Sequence, residues 1–338
     1  MLNFFLSFIS VAFRTLPNLV LFVCLAQYFE ILEVGTALFG ITICTLLASV
    51  VDYGLSDRFN YACANEKLKI KNHLSYFMSI RFRNFFFLYT FLLLSKPLFP
   101  NTELYLYCVT YFPISSIFLF QNLLISAIRY KFDFQLERKI QQKISFINIL
   151  LIILIPLIFE LEIYHYFLIL FVGRLLIFLI YLYLYRFHNI LKSIFFEIPI
   201  SKHLKAVKEN FGWSMAHVFG VLALNIDLLV LIYFLSDIDF SIYQIIIRFF
   251  ISLTLLSTAS NAVILKDISS IDDVSIRQKN IYKILFKVFV LYFVISSVLF
   301  IATPLITNFV LNVPQEFMSN EIYVYLCLQR NQSNYFCA

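Results

Sequence analysis

The sequence predicts an all-α protein that crosses a membrane many times, and three observations support this prediction. Hydrophobic residues fill 61% of the 338 positions and charged residues only 14%, against about 25% charged in soluble domains. The apolar residues form runs of about 20, the length that a helix needs to cross the hydrocarbon core. The basic residues lie between these runs, in alternate loops. A soluble enzyme, a disordered chain and a disulfide scaffold are excluded, because none of them could hide so much apolar surface.

Nine apolar runs are long enough to form transmembrane helices, and short polar segments separate them. In chain order they cover residues 5–28, 34–55, 84–102, 104–126, 144–163, 165–185, 211–235, 240–264 and 284–310. A tenth run begins near Ile322 and stops in the polar sequence at 329–334. The first run carries Arg14 in its middle and lacks a basic start and a clear cleavage site, so we expect a retained helix and not a signal peptide.

The distribution of basic residues predicts the orientation of the helices. Loops 56–83, 127–143, 186–210 and 265–287 contain 6, 5, 5 and 5 Lys and Arg residues, whereas the loops between them contain at most one. Because loops rich in Lys and Arg stay on the cytoplasmic side, these four loops and the N-terminus are expected to be cytoplasmic. The longest loop is too short for a catalytic domain, so we expect the function to reside within the membrane.

The chain contains a weak internal repeat. Residues 5–65 and 211–272 share one layout, in which a helix, an acidic loop, a second helix and a basic loop follow each other. Such repeats are common in transporters. We therefore expect two lobes, the second truncated or frameshifted; the alternative is a ten-helix protein with a polar tail. The predicted units are a six-helix lobe at 1–186, a cytoplasmic linker at 187–210, an incomplete second lobe at 211–328 and a tail at 329–338.

Polar residues recur at helical spacing on the first, second, seventh and eighth runs. An ionisable side chain in hydrocarbon costs about 2.5–3.5 kcal/mol, so it is expected to face a partner or a water-filled cavity. The first two runs supply Arg14 and Asp52, and the seventh and eighth supply Asp227 and Arg248. Together with Arg174 in the sixth run they carry excess positive charge, which suits an anionic or phosphorylated ligand. The alternative is that these stripes only pack helices together.

Motifs of enzymes are missing from the sequence. It contains no P-loop, HExxH, GxSxG or glycine-rich dinucleotide loop, and its six cysteines have no metal-binding spacing. These observations predict a transporter and not an enzyme, without a cofactor or a metal. Nucleic acid is not an expected partner either, because membrane topology already explains the positions of the basic residues.

Three stretches of the chain resemble bacterial polysaccharide flippases of the Wzx kind. Glu30–Phe59 has an acidic, glycine-containing turn, then the pair Phe39-Gly40, then Asp52-Tyr53-Gly54-Leu55 before a basic loop. Residues 121–143 are similar to the loop after the fourth helix of these flippases. Residues 225–248 are similar to the hairpin of their seventh and eighth helices. The family belongs to a superfamily that also contains multidrug and toxin extruders.

The resemblance implies two six-helix lobes around a central cavity, which the first, second, seventh and eighth helices line. Nine or ten of the twelve helices are present in this sequence. The implied function is the movement of undecaprenyl-diphosphate-linked oligosaccharides, the O-antigen units, across the bacterial inner membrane by alternating access. Membrane lipids and other polysaccharide-assembly proteins are the implied partners.

This interpretation gives nine side chains a role in transport. Those expected to bind the diphosphate or the sugars are Arg14, Asn18, Arg174, Trp213, Asn225, Gln244 and Arg248. Asp52 and Asp227 are expected to exchange partners or protons as the lobes move. Three alternatives remain open: a drug or toxin exporter of the same fold with a more acidic cavity, a membrane-embedded polysaccharide polymerase, and a truncated inactive remnant. A polymerase needs a sizeable external loop with basic residues, which argues against it here.

Overall fold

The computed structural model describes most of the first two thirds of the chain. The described residues are 2–65, 70–99, 101–131, 134–158, 162–184, 205 and 207–248, with eight single positions between 278 and 297. In the first half of the first helix the side chain of Arg14 lies outside this description. So do the predicted tail, the tenth run and most of the ninth.

Helices account for nearly all of the described residues, and no β-strand occurs in these ranges. The helices are α1 (Leu2–Tyr28), α2 (Ile31–Asp52), α3 (Leu55–Asn65), α4 (Ile70–Leu94), α5 (Thr102–Lys131), α6 (Phe134–Ile158), α7 (Ile163–Leu184), α8 (Phe211–Ala223), α9 (Ile226–Leu231) and α10 (237–248). Within the described ranges, four segments are long and apolar enough to cross a membrane: Ile31–Asp52, Leu74–Leu94, Thr102–Ala127 and Ile163–Tyr183. The predicted all-α polytopic class is confirmed.

The third predicted run, 84–102, is placed differently by the structure. Helix α4 begins at Ile70 and ends at Leu94. It ends early because Lys96–Leu98 forms a 3-10 turn that contains Pro97, and proline cannot donate a helical hydrogen bond. It begins earlier than predicted, and most of its side chains from Leu74 to Arg81 are buried, although Arg81 and Arg83 lower the local hydropathy. The predicted cytoplasmic loop is therefore largely helical.

The second predicted run ends in a sharp turn. Tyr53 and Gly54 both have left-handed backbone angles, with φ of 50° and 66°. The Tyr53 N–H donates to the carbonyl of Ser49 and closes α2, after which Leu55 begins the short helix α3. Left-handed residues commonly end helices, and glycine adopts this conformation without a steric penalty. The turn places the end of α2 inside the protein and directs α3 away from it.

The seventh predicted run, 211–235, is two helices instead of one. Helix α8 ends at Ala223 and α9 begins at Ile226. At the break, the Asn225 amide Nδ2 donates to the carbonyl of Val221 at 2.8 Å. An asparagine side chain that bonds to the backbone competes with the helical hydrogen bonds. Hydropathy gives no sign of the break, because apolar residues surround it on both sides.

The first seven helices pack as one bundle around a shared apolar core. Helix α1 packs mainly on α6, and α2 packs along α5. Small residues allow the second pair to approach closely: a Cβ on Gly40 would lie 3.1 Å from the Cβ of Tyr107, and the Cys44 thiol donates to the Cys108 carbonyl at 3.2 Å. Close approach through small residues is typical of helices packed in membranes. This bundle carries α2 into contact with α8 and α10.

Candidate functional site

Four charged side chains of the membrane helices are almost completely buried. The exposed fractions of Asp52, Arg81, Arg174 and Arg248 are 0%, 0%, 1% and 6%. Asp227 is half-buried. Buried charges are costly unless they are paired or hydrogen-bonded, so their partners reveal what each one does.

Asp52 pairs with an arginine that the sequence placed in a cytoplasmic loop. Its Oδ1 forms an ion pair with Arg81 of α4 and accepts a hydrogen bond from the Ser56 hydroxyl at 3.0 Å. Arg81 also donates to Ser56 and to the carbonyl of Leu119 on α5. This group ties the four helices α2, α3, α4 and α5 together and neutralises the Asp52 carboxylate. Hydropathy does not predict that Arg81 lies in a buried helix, because the residue that compensates its charge is distant in sequence.

A histidine of α8 reaches the same carboxylate from the other side. The His217 Nε2 lies 3.4 Å from Oδ2 of Asp52, and its Nδ1 lies 3.7 Å from Oδ2 of Asp57. Trp213 lies one turn earlier on α8, where its carbonyl is packed on Gly54. The predicted sugar-binding residue Trp213 therefore lies at the end of α2, close to the Asp52 group.

A second polar group lies where α2 meets α10. Arg248 donates to the Thr42 hydroxyl and, at 3.5 Å, to the Leu38 carbonyl. One turn earlier on α10, Gln244 is fully buried, and no described residue supplies a hydrogen-bond partner to its amide oxygen or nitrogen. Buried polar groups without a partner are rare and call for an explanation. The predicted residues Gln244 and Arg248 are thus brought together with the polar stripe of α2.

Asp227 contacts this second group through α10. Its Oδ2 accepts a 2.6 Å hydrogen bond from the hydroxyl of Tyr243, and its charge interacts with Arg248. Its Oδ1 is buried, and no partner for it occurs in the described part of the chain. The predicted residue Asn225 is also buried, but its amide bonds to its own helix. The structure therefore assigns Asn225 a place in the α8–α9 break.

Arg174 and Asn18, two predicted residues, meet inside the first bundle. The Arg174 Nη2 donates to Oδ1 of Asn18 at 2.9 Å, and its guanidinium lies 4.9 Å from the centre of the Phe118 ring. Arginine stacks well on aromatic rings. Arg174 and Arg248 both interact electrostatically with the buried Tyr111 of α5. Tyr111, which the sequence did not indicate, therefore lies within electrostatic range of both arginines.

The contact between α2 and α10 leaves no room for an added methyl group. A Cβ on Gly35 would overlap the Ser241 side chain, and the rings of Phe39 and Phe240 meet edge to face at 5.6 Å. We expect Gly35→Ala to destabilise this contact by about 1–3 kcal/mol, the usual effect of overpacking. A lowered melting temperature of the purified protein in detergent would show it.

The matched control for this change is Gly220→Ala in α8, where no heavy atom lies within 4 Å of the added Cβ. It should leave the melting temperature unchanged or raise it slightly, since alanine favours a helix. Equal melting temperatures for the two variants would contradict the close packing of α2 on α10.

Comparisons with solved structures show that this chain shares a known fold. No protein-family model and no curated protein matches the sequence. Among solved structures, the chain is similar to an outward-facing multidrug resistance MATE family transporter of the MOP superfamily, with a TM-score of 0.63 and 13% identity over 90% of this chain and 72% of that one. A MATE in complex with MaD5 gives a TM-score of 0.62 and 14% identity, and the similarity covers 90% of this chain and 73% of that one. The eukaryotic MATE transporter AtDTX14 gives a TM-score of 0.60 and 13% identity, and the similarity covers 96% of this chain and 75% of that one.

These similarities define the class of fold, which is the two-lobed helical membrane fold of MATE transporters. At 13–14% identity they show the fold alone. They agree with the two-lobed helical fold that the sequence resemblance implied. They do not single out polysaccharide flippases, because the similar structures are MATE transporters.

Proposed function

We propose that the chain is a membrane transporter that exports amphipathic solutes carrying an acidic group, as a drug or toxin exporter. The fold supports transport, since the similar structures are MATE transporters. We infer the position of the substrate site from the polar group around α10. There, Gln244 and Asp227 have buried polar atoms that no described residue hydrogen-bonds. A bound solute would supply those partners.

The balance of buried charge favours an acidic solute. The Asp52 carboxylate is already neutralised by Arg81. The other two buried charged side chains of the described ranges, Arg174 and Arg248, are both positive. The buried charge that remains beside the Asp52–Arg81 pair is therefore positive.

The partners of Arg248 suggest how a solute would bind. The Thr42 hydroxyl and the Leu38 carbonyl are neutral acceptors, and the Thr42 hydroxyl itself donates to Leu38 at 3.1 Å. A carboxylate or phosphate forms stronger, charge-assisted hydrogen bonds with a guanidinium. An acidic solute would thus take Arg248 from Thr42 and loosen α10 from α2. Loosening of this kind is what alternating access requires.

Uptake into inside-out membrane vesicles tests this proposal. Vesicles that contain the chain should accumulate acidic amphipathic dyes faster than vesicles without it, whereas cationic dyes should show no difference. Vesicles with the Arg174→Gln variant should accumulate the acidic dyes more slowly. Accumulation of the cationic dyes alone would reject the acidic-solute assignment, and no accumulation of either by well-expressed, folded protein would reject export.

The flippase function implied by the sequence resemblance is the second candidate. Two arginines near Tyr111, together with Asn18 and Gln244, offer donors for a diphosphate and for sugar hydroxyls. Expression of the chain in a strain that lacks its O-antigen flippase distinguishes this candidate. Restored O-antigen on the cell surface would favour it over drug export, and its absence despite full expression would reject it.

A further inference from the structure

Gln244 differs from the other two buried glutamines of the described chain. Gln121 on α5 donates to the Arg174 carbonyl, and Gln141 on α6 accepts a hydrogen bond from the Tyr181 hydroxyl at 2.9 Å. Gln244 is as deeply buried as these two, but neither its amide oxygen nor its amide nitrogen has a hydrogen-bond partner among the described residues. A buried amide without partners destabilises a fold. A role in folding therefore does not explain why this side chain is polar.

Another unpartnered polar atom lies beside Gln244. Asp227 reaches α10 at Tyr243, the residue before Gln244, whose hydroxyl donates to the Asp227 Oδ2 at 2.6 Å. The other oxygen of Asp227, Oδ1, is buried and accepts no hydrogen bond within the described chain. The Asp227 carboxylate also interacts electrostatically with Arg248, one turn further along α10. Three unpartnered polar atoms are thus grouped next to a guanidinium.

Helical geometry gives the order of these groups around α10. With 3.6 residues per turn, Gln244 is rotated by about 100° from Tyr243 and by about 40° from Arg248. Tyr243 contacts Asp227, and Arg248 contacts Thr42 of α2. Gln244 therefore lies between the side of α10 that meets Asp227 and the side that meets α2. A solute on Arg248 would have Gln244 as its next neighbour on the helix.

The three unpartnered atoms define the hydrogen-bonding groups that a solute must supply. The Gln244 Nε2 is a donor, whereas the Gln244 Oε1 and the Asp227 Oδ1 are acceptors. They require one acceptor and two donors. A primary carboxamide has one carbonyl acceptor and two N–H donors. Its carbonyl and one N–H share an edge that pairs with a glutamine amide, and its second N–H is free for a carboxylate. A single hydroxyl has only one donor.

We propose that the acidic solutes of this site also carry a primary carboxamide, which Gln244 and Asp227 bind while Arg248 binds the acidic group. This inference rests on the proposed function, because it specifies the solute of the same site. Side chains one helical turn apart are separated by about 5–6 Å, so the carboxamide and the acidic group should be about as far apart. The preference should be strong, because a solute without the N–H groups leaves buried acceptors unpaired.

Isothermal titration calorimetry with two matched benzoates tests the proposal on the purified protein in lipid nanodiscs. In para-carbamoylbenzoate the primary carboxamide stands opposite the carboxylate. In para-acetylbenzoate a methyl group of similar size replaces the NH₂ group, so the carbonyl is kept and both N–H donors are lost. We expect the first compound to bind at least about tenfold more tightly. Equal affinities, or no binding of either compound, would overturn the proposal.

The variant Gln244→Met separates ligand binding from a structural role. Methionine is unbranched and of similar length but has no amide, so the variant should bind the two benzoates with similar affinity. It loses no hydrogen bond within the described chain, so its melting temperature should be unchanged or higher. Gln121→Met is the matched control and should melt at a lower temperature, because it loses the bond to the Arg174 carbonyl. An equally lowered melting temperature for Gln244→Met would overturn the proposal.

Dye uptake by vesicles distinguishes the failure of this proposal from the failure of export. If the vesicles accumulate acidic dyes but the protein binds both benzoates equally, export is supported and the carboxamide preference is rejected. If the protein prefers para-carbamoylbenzoate but the vesicles accumulate no dye, the carboxamide site is supported and export is rejected.

Discussion

Replacing Arg81 by glutamine is expected to prevent most of the protein from folding. The change leaves the Asp52 carboxylate fully buried without its arginine. Removal of one partner from a buried ion pair costs about 3–5 kcal/mol, which is a large part of the stability of a typical domain. The neighbours on α5 and α3 cannot compensate, because the Leu119 carbonyl can only accept a hydrogen bond and the Ser56 hydroxyl donates one to Asp52 but carries no positive charge. Yield of monodisperse protein after size-exclusion chromatography measures the loss.

The double variant Asp52→Asn with Arg81→Gln separates lost pairing from lost packing. It removes both charges, and it should recover much of the yield because no unpaired charge remains. Lys139→Gln is the surface control, since Lys139 is exposed on α6 and its loss should have no effect. Equal yields for Arg81→Gln and the double variant would mean that the charge of Asp52 is not what destabilises the single variant.

Arg81 also shows why hydropathy placed the third run wrongly. A window average counts each arginine as a cost, whereas the real cost depends on a partner from another helix. Asp52 supplies that partner over a distance of 29 positions, through the turn at Tyr53 and Gly54. Local sequence cannot show such a pairing. The same limit applies to Arg174, whose partner Asn18 lies on α1.

Helical spacing was informative where polar residues repeat along one face. The stripes on the second and eighth runs were expected to face a shared polar chamber, and in the structure Arg248 of α10 contacts Thr42 of α2. The pattern could not show the break at Asn225, because side-chain bonding to the backbone leaves no trace in hydropathy. The functional roles of the nine predicted residues stay predictions.

Replacing Arg248 by glutamine is expected to stop export of acidic solutes while the protein still folds. The glutamine amide retains a donor for the Thr42 hydroxyl, and Thr42 keeps its own bond to Leu38. Hydrogen bonds to charged groups contribute about 1.5–3 kcal/mol, so the loss should reduce uptake at low solute concentration by about tenfold or more. Initial rates of dye uptake into inside-out vesicles, divided by the amount of folded protein, measure this effect.

Two further variants test whether Arg248 binds the solute or only packs α10 against α2. Arg248→Lys keeps the charge but lacks the planar pair of donors, so its uptake should lie between those of the glutamine variant and the unmodified protein. Thr42→Val removes a neutral competitor for the guanidinium, so half-maximal uptake should require less solute. If the arginine only packed the helices, Thr42→Val would impair uptake as Arg248→Gln does, because each change weakens the hydrogen bond between positions 248 and 42. Opposite effects of Thr42→Val and Arg248→Gln on uptake would therefore identify Arg248 as the group that binds the solute in competition with Thr42.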